Sequence, residues 1–203
     1  MPNNACSLLD WGVATKKLAG QTVSGDLHLV EPFANGVLVA VVDGLGHGLD
    51  ASVAARAAVT TLKTHAGLSV LDLIRLCHEA LHGTRSVVMS LASFDAVNAT
   101  MTWLGVGNVE GVLLPREADT PAESVLLRGG VVGYHLPPLR ASVVPVHPGD
   151  TLIFATDGIR SDFRTRPAGN ETPQQLADRL LAQFNRGNDD ALVLVARWQG
   201  NAI

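Results

Sequence analysis

The sequence predicts an α+β fold in which two helices pack on one sheet and a third helix packs on a second sheet. The apolar segments follow the order strands, two helices, strands, one helix and one strand, which separates the helices into two groups. Several consecutive strand-like segments are joined by short turns, and this spacing is typical of an antiparallel meander. Twenty glycines and ten prolines supply the tight connections of a sheet-rich fold.

The composition narrows the class of protein before any motif is considered. Of the 203 residues, 47% are hydrophobic and 17% are charged, which excludes a disordered chain and fits one well-buried core. The net charge of −4 excludes the basic footprint of a nucleic-acid-binding protein. Residues 1–10 do not resemble a signal peptide, and no apolar run approaches the roughly 20 residues of a membrane span. Because Cys6 and Cys77 are the only cysteines, we expect a reducing, cytoplasmic location.

The N-terminal half is expected to contain two strands followed by two helices. The first clear strand is 27–30, and the valine-rich run 36–42 predicts a strand that is buried on both faces. A glycine-rich turn then leads into an alanine-rich helix over 49–65. Ser69 is a natural N-cap for a second helix, and Asp72 occupies its capping-box position.

The C-terminal half is mostly strands, with one helix near its end. Segments 86–94, 99–106 and 109–114 are expected to form the meander. Thr172 is the predicted N-cap of the helix, because proline follows it and Gln175 stands at the capping-box position. The remaining predicted strands are 124–127, 141–146, 150–156 and 191–198.

Four aspartates stand where predicted apolar strands begin or end. Asp26 opens one strand, Asp43 and Asp157 each close one, and Asp189 shortly precedes the last. Carboxylates gathered at one end of a sheet would repel one another, and a divalent cation such as Mg²⁺ or Mn²⁺ would offset that repulsion. Aspartate is also a common turn residue, so the spacing alone leaves an ordinary structural role open for each.

Four short motifs, taken in order, cover nearly the whole chain. They are Ser24-Gly25-Asp26, Asp43-Gly-Leu-Gly-His-Gly48, Ala155-Thr-Asp157-Gly158 and Asn188-Asp189-Asp190. Together they resemble the metal-dependent protein phosphatase family, and most closely its SpoIIE-like bacterial branch, which removes phosphate from serine or threonine. The second motif is the most specific. The segments Gly83-Thr84-Arg85 and Gly105-Val-Gly107-Asn108 also look like that branch.

The resemblance implies a β-sandwich of two mainly antiparallel sheets, with helices on both outer faces and two divalent cations, Mn²⁺ or Mg²⁺, at one end. Asp43 would bridge both ions, and Asp26 with the Gly44 carbonyl would complete one site. Asp157 and Asp189 would complete the other site. Asp43 and Asp26 are therefore the candidate catalytic residues, and water activated by both ions would attack phosphorus.

Other residues are expected to support the ligands. His47, within the second motif, is expected to orient the loop or a ligand rather than to bind a metal ion. Asp190 is either an acid that supports the ligands from behind or a turn residue. Gly44 and Gly158 would keep the backbone close to the ions, where a side chain would crowd them. Leu192 stands where the family often has a threonine, which predicts looser hydrogen bonding behind the ligands.

A cluster of cations follows the third motif. Arg160, Arg164 and Arg166 lie in a polar stretch and are either a solvated loop or contacts to an acidic partner or phosphopeptide. The phosphate-contacting arginine of eukaryotic family members has no clear counterpart before Asp26. We assign no such role to the two adjacent lysines at positions 16 and 17.

The lack of an appended sensor domain makes the chain look like the stand-alone members of the branch, which reset the stressosome. This implies a single catalytic domain over 1–203, a monomer whose substrates are phosphorylated STAS-domain proteins, with no nucleic-acid or membrane partner. Two alternatives stay open. One is a catalytically weak module that binds phosphoproteins, and the other is a metal-dependent hydrolase of a small phosphate ester.

Overall fold

A computed structural model describes residues 8–200, which form two packed β-sheets covered by three helices. The helices are α1 (Leu49–Thr64), α2 (Val70–Ala80) and α3 (Pro173–Phe184). The strands are β1 (Leu9–Lys16), β2 (Asp26–Phe33), β3 (Gly36–Gly44), β4 (Val87–Asp95), β5 (Thr100–Val106), β6 (Glu110–Leu114), β7 (Glu123–Ser124), β8 (Leu127–Arg128), β9 (Ser142–Pro145), β10 (Thr151–Ala155) and β11 (Ala191–Trp198).

The two sheets have different strand orders and are mainly antiparallel. The first sheet runs β1-β11-β10-β6-β7, and the second runs β2-β3-β4-β5-β8 with β9 also paired to β5. The β5–β8 pair is parallel, and the other strand pairs of the described residues are antiparallel. Helices α1 and α2 pack on the second sheet and α3 packs on the first. The predicted α+β class and the sandwich implied by the resemblance are confirmed.

An apolar cluster with residues from both sheets fills the space between them. Phe94 stacks on Trp198 there, with ring centroids 5.5 Å apart, and Trp103 and Phe154 lie in the same cluster. Strands β3 and β11 are buried on both faces because each has a sheet-facing side and a helix-facing side. Their sequences are therefore continuous apolar runs rather than alternating ones.

The helix starts follow the predicted caps. The Asp72 amide donates to the Ser69 hydroxyl over 3.2 Å at the start of α2. At α3, the Gln175 amide donates to the Thr172 hydroxyl, and the Gln175 side chain accepts from the Thr172 amide, at 3.2 and 2.9 Å. Both caps satisfy amides that the first helical turn leaves without partners.

Strand β1 is absent from the sequence-based prediction, whose first strand is 27–30. Asp10 and Trp11 are consecutive exposed residues, so the segment lacks a clean alternation. Gly12 weakens the pattern further, but it is needed where helix α3 crosses. A Cβ at this position would lie 2.3 Å from Cα of Gln174.

The predicted three-strand meander is wrong in its last strand. Strands β4 and β5 pair as expected, but β6 crosses to the first sheet and pairs with β10. Gly107 turns the chain between the sheets with φ +96°. The predicted strand 124–127 likewise divides, because β7 pairs with β6 and β8 pairs with β5. Turn length does not determine which sheet receives the next strand.

No helix between residues 8 and 200 is long and apolar enough to cross a membrane. Cys77 is a buried free thiol whose pKa burial raises to about 12, and its Sγ lies 3.7 Å from the Ala58 carbonyl oxygen. Residues 1–7, which include Cys6 and most of the segment considered for a signal peptide, lie outside the described residues.

Candidate metal centre

Asp26 and Asp43 face each other across two paired strands at one end of the second sheet. They are register partners on β2 and β3. Asp26 is buried and Asp43 is partly buried. Burial raises the pKa of both carboxyls, because removing water penalises the charged form. The negative charge of Asp26 raises the pKa of Asp43 further.

Asp157 and Asp189 come from the first sheet and meet this pair. Asp157 follows the end of β10, and Asp189 precedes β11, the antiparallel neighbour of β10. Partial burial raises the pKa of Asp157, and so does the charge of Asp189. Both carboxylates also raise the pKa of Asp26 and Asp43. The two sheets therefore bring all four predicted aspartates within electrostatic reach of one another.

The donor set fits hard divalent cations. Burial and three neighbouring carboxylates all raise the pKa of Asp43, so the pocket holds negative charge without compensation. Oxygen donors of this kind are the ligands that Mg²⁺ and Mn²⁺ prefer. Between residues 8 and 200, no three histidine, cysteine, aspartate or glutamate side chains surround one point closely enough to hold an ion on their own. Backbone carbonyls or water would have to complete the coordination.

Thr156 connects the two halves of the centre and was missed by the sequence analysis. Its hydroxyl donates to the Asp26 carboxylate over 2.7 Å and accepts from the Leu192 amide over 2.9 Å. Its own amide donates to the Leu192 carbonyl over 3.1 Å. The hydroxyl expected at position 192 is thus supplied from position 156. A polar residue at the end of the apolar strand β10 was the available signal.

Asp190 lies behind the centre and is bonded to the backbone beside Asp26. Its carboxylate is buried and accepts from the Leu18 amide at 2.8 Å and from the Gly25 amide at 2.7 Å. These bonds tie the connection between β1 and β2 to the start of β11. Because Gly25 directly precedes Asp26, Asp190 determines where the second sheet presents that ligand.

Asn108 and Arg186 also act on Asp157 and were not predicted as site residues. The Asn108 side-chain amide donates to the Asp157 carboxylate over 2.8 Å, and this bond lowers the pKa of Asp157. The nearby Arg186 guanidinium lowers it as well. Asn108 ends one of the family-like segments, but a sequence does not reveal which side chain it will meet.

The glycines at the centre allow backbone segments to pack closely. A Cβ on Gly44 would lie 2.2 Å from the Ala51 carbonyl oxygen, and one on Gly158 would lie 2.0 Å from the Asp190 carbonyl oxygen. Their first role is therefore to let α1 approach β3 and to let the loop after β10 approach β11.

The remaining candidates occupy more peripheral positions. His47 is exposed, and its side chain makes no hydrogen bond or ion pair within the described residues. Arg160 pairs with Asp162 at 3.3 Å and lies over the Phe184 ring, 5.3 Å from its centroid. Neither residue contacts the four carboxylates directly.

Arg164 and Arg166 already have partners within the fold. Arg164 pairs with Glu110 at 3.2 Å and donates to the Ser124 hydroxyl. Arg166 donates to two backbone carbonyls, of Pro115 and Thr120. Pro115 follows the end of β6 that is remote from the centre, so the arginine stretch does not form one surface beside Asp157.

The sequence was then compared with known families. The family described as "Stage II sporulation protein E (SpoIIE)" matches residues 34–199. The chain belongs to the SpoIIE family. The branch inferred from the four motifs is thereby confirmed.

Individual relatives agree with this assignment. The chain is 21% identical over 182 residues to "Phosphoserine phosphatase RsbX" of Bacillus subtilis (strain 168), covering 88% of this chain and 89% of that protein. A solved structure of RsbX in complex with magnesium has a TM-score of 0.84 and 20% identity, covering 95% of this chain and 96% of RsbX.

A second solved structure has a higher TM-score. It is described as "The bacterial stressosome: a modular system that has been adapted to control secondary messenger signaling". Its TM-score is 0.86 at 28% identity, and the match covers 93% of this chain and 99% of that chain. Similarity to RsbX and to this stressosome-related structure agrees with the branch inferred from the motifs.

Proposed function

We propose that this chain is a divalent-cation-dependent protein phosphatase that hydrolyses phosphoserine or phosphothreonine. The observation that carries the proposal is the meeting of four carboxylates, two from each sheet, at one end of the sandwich. Membership of the SpoIIE family and similarity to a phosphoserine phosphatase support the reaction class.

The proposed ligands of two ions, Mn²⁺ or Mg²⁺, are the four aspartates and one backbone carbonyl: Asp26, Asp43, Gly44, Asp157 and Asp189. When bound, the ions would supply Lewis acidity toward water and toward the phosphoryl oxygens. The solved structure of RsbX in complex with magnesium supports a divalent cation in this chain as well.

The chain's own contribution is to hold the ligands in place. Thr156 fixes one carboxylate oxygen of Asp26, and Asn108 fixes one of Asp157. Such bonds restrict the side chains to orientations that are ready for binding, which lowers the reorganisation needed during the reaction. The buried Cys77 thiol, with its raised pKa, is unsuited to act as a nucleophile.

The proposed substrates are phosphorylated STAS-domain proteins of a stressosome. The similarity to RsbX and to the stressosome-related structure supports this partner class. The segment between β10 and α3 contains no helix or strand, so only a small flap borders the carboxylates. An open site of this kind suits a phosphate that protrudes from a folded protein, such as one at a helix N-terminus. We further propose a cytoplasmic monomer with one catalytic domain over 1–203.

A substrate panel tests the proposal. Purified chain is assayed on an aryl phosphate and on phosphorylated STAS-domain proteins from the same genome, with Mn²⁺, with Mg²⁺ and with EDTA. We expect metal-dependent release of phosphate from both substrate types, and its loss in EDTA. Full activity in EDTA with no bound metal would contradict the metal mechanism. Turnover of small metabolites without turnover of the phosphoproteins would contradict the substrate class.

A matched pair of variants links this activity to the centre. Asp43→Asn removes the proposed bridging carboxylate, whereas Asp10→Asn makes the same change at an exposed position in strand β1. We expect the first variant to lose activity and the second to retain it. Equal activity of both variants would contradict the assignment of Asp43 as the bridging ligand.

A further inference from the structure

A cleft opens beside strand β8, outside the candidate metal centre. Its volume is about 470 Å³. Two arginines and a short proline-rich segment form its walls, and the lining residues are Arg128, Gly129, Pro137, Pro138, Leu139 and Arg140. The cleft therefore combines positive charge with a backbone of limited freedom.

Arg128 has an unmet hydrogen-bonding requirement. Its Nε is the single buried side-chain nitrogen or oxygen between residues 8 and 200 that has no hydrogen-bond partner. Neither Arg128 nor Arg140 forms a side-chain hydrogen bond or an ion pair within those residues. Buried donors are usually satisfied, and the Arg128 guanidinium, which lines the cleft, has no acceptor from the protein.

Two short chain connections link this cleft to residues of the metal centre. The Gly107 amide donates to the Arg128 carbonyl over 2.9 Å, and the next residue, Asn108, holds Asp157. On the other side, the loop that closes the cleft pairs through Val132 with Val87 at the start of β4. Val87 is in turn the register partner of Gly44.

The loop between the two arginines is held in one conformation. Val131 and His135 exchange backbone hydrogen bonds of 2.8 and 2.9 Å. A Cβ on Gly130 would lie 2.5 Å from Cδ of Pro137, so glycine permits the close approach of the two walls. A preorganised pocket loses little conformational entropy when it binds a ligand.

The arginines that are free to bind an anion therefore differ from those expected from the sequence. The guanidiniums of Arg164 and Arg166 are occupied by Glu110 and by backbone carbonyls. Those of Arg128 and Arg140 have no such partners. Since the chain as a whole carries a net charge of −4, attraction of an acidic partner has to come from local groups of this kind.

We propose that Arg128 and Arg140 form an anion subsite that binds a second anionic side chain of the phosphoprotein substrate, close to the phosphoserine being hydrolysed. The anion is a carboxylate or a second phosphate, because a guanidinium pairs with both through parallel hydrogen bonds. This inference rests on the proposed phosphatase function and specifies what the substrate must carry.

Synthetic phosphoserine peptides test the subsite. Three peptides differ only in the residues that flank the phosphoserine, which are glutamate, a second phosphoserine or glutamine. With Mn²⁺, we expect kcat/KM of the wild-type chain to be about tenfold higher for the glutamate or doubly phosphorylated peptide than for the glutamine peptide, chiefly through KM. The relative values for the first two peptides distinguish a carboxylate from a phosphate. No preference over glutamine would overturn the proposal.

Variants connect the preference to the cleft. Arg128→Gln with Arg140→Gln should abolish it while leaving aryl phosphate hydrolysis unchanged. The single Arg140→Gln change, at an exposed position, should weaken the preference even if the double variant does not fold. Arg116→Gln removes the same charge from an exposed side chain at the remote end of β6 and should retain the preference. An equal loss in Arg116→Gln would indicate general electrostatics and overturn the proposal.

Direct binding separates this inference from the phosphatase proposal. If the wild-type chain hydrolyses neither aryl phosphate nor peptide with Mn²⁺, the proposed function fails. Calorimetric titration with the glutamate peptide then tests the subsite alone. Binding that is lost in Arg140→Gln and kept in Arg116→Gln would support it, and binding that is insensitive to both changes would overturn it.

Discussion

The Thr156 hydroxyl donates a 2.7 Å hydrogen bond to the Asp26 carboxylate and thereby joins the two sheets at the candidate metal centre. The same hydroxyl accepts from the Leu192 amide on strand β11. Thr156 is only 2% exposed, so water does not compete for these bonds. Together with Asp190, which holds the backbone of Gly25, this side chain fixes the position of Asp26 relative to the first sheet.

Replacing Thr156 with valine tests this dependence. We expect Thr156→Val to reduce turnover about tenfold and to raise the Mn²⁺ concentration for half-maximal activity by a similar factor. Valine keeps the shape but leaves Asp26 without its donor and the Leu192 amide without its acceptor. The unsatisfied amide should also cost about 1–3 kcal/mol of stability. Metal titrations of phosphatase activity provide the measurement.

Two controls separate positioning from general destabilisation. Thr156→Ser retains the hydroxyl and should need the same Mn²⁺ concentration for half-maximal activity as the wild type. Thr151→Val makes the same change in a buried threonine at the other end of β10 and should leave that requirement unchanged. An unchanged metal requirement in Thr156→Val would contradict the positioning role.

The four aspartates are expected to differ in importance. Asp43→Asn should be the most damaging change because the proposed bridging carboxylate serves both ions. Asp157→Asn or Asp189→Asn should weaken one ion and should recover part of its activity at high metal concentration. The comparison requires kcat for the three variants across a Mn²⁺ titration. Near-normal turnover of Asp43→Asn would show that another residue has the bridging role.

The metal-free protein should become less stable as the pH rises from about 7 to about 8. Burial raises the pKa of Asp26 and of Asp43 in the folded state above the ordinary aspartate range, so the folded state holds protons that the unfolded state has released. The free energy of unfolding then falls with pH, by at most about 1.4 kcal/mol per pH unit for each proton. His28, whose pKa burial lowers, contributes little over this range.

Urea unfolding in EDTA at both pH values measures this effect. Asp43→Asn should flatten the slope and be more stable than the wild type at the higher pH, because it removes one buried acid. The difference between the two proteins isolates Asp43 from Cys77, which is present in both. A wild-type stability that rises with pH under these conditions would contradict the predicted sign.

Asp190 should matter for stability as well as for activity. Its buried carboxylate accepts from two backbone amides, and asparagine can offer its oxygen to only one of them. We expect Asp190→Asn to lower the free energy of unfolding by roughly 2–3 kcal/mol, since hydrogen bonds to a charged group are being lost. Proteolysis within residues 17–25 should accelerate. Asp10→Asn, at an exposed position, should change neither measurement.

Much of the fold follows from local sequence patterns. Ser69 and the pair Thr172 and Gln175 determine helix starts through backbone amides within one turn, so these caps were predictable. The valine-rich run of β3 predicted a strand buried on both faces. In the caps the interacting groups are close in sequence. In β3 the burial follows from the apolar character of its side chains.

Other features depended on contacts between distant segments. The short turn before β6 does not specify which sheet receives the strand. Its place in the first sheet is therefore decided by the packing of the sheets. The motifs identified the four aspartates, but the opposition of Asp26 and Asp43 and the approach of Asp157 are results of strand register. Thr156 lies 130 residues from Asp26, and the unpaired guanidinium of Arg128 exists only because its surroundings exclude other partners. The sequence by itself determined which chemical groups were available. Tertiary packing determined which of these groups meet, because burial and hydrogen bonding depend on neighbours that the linear sequence does not specify.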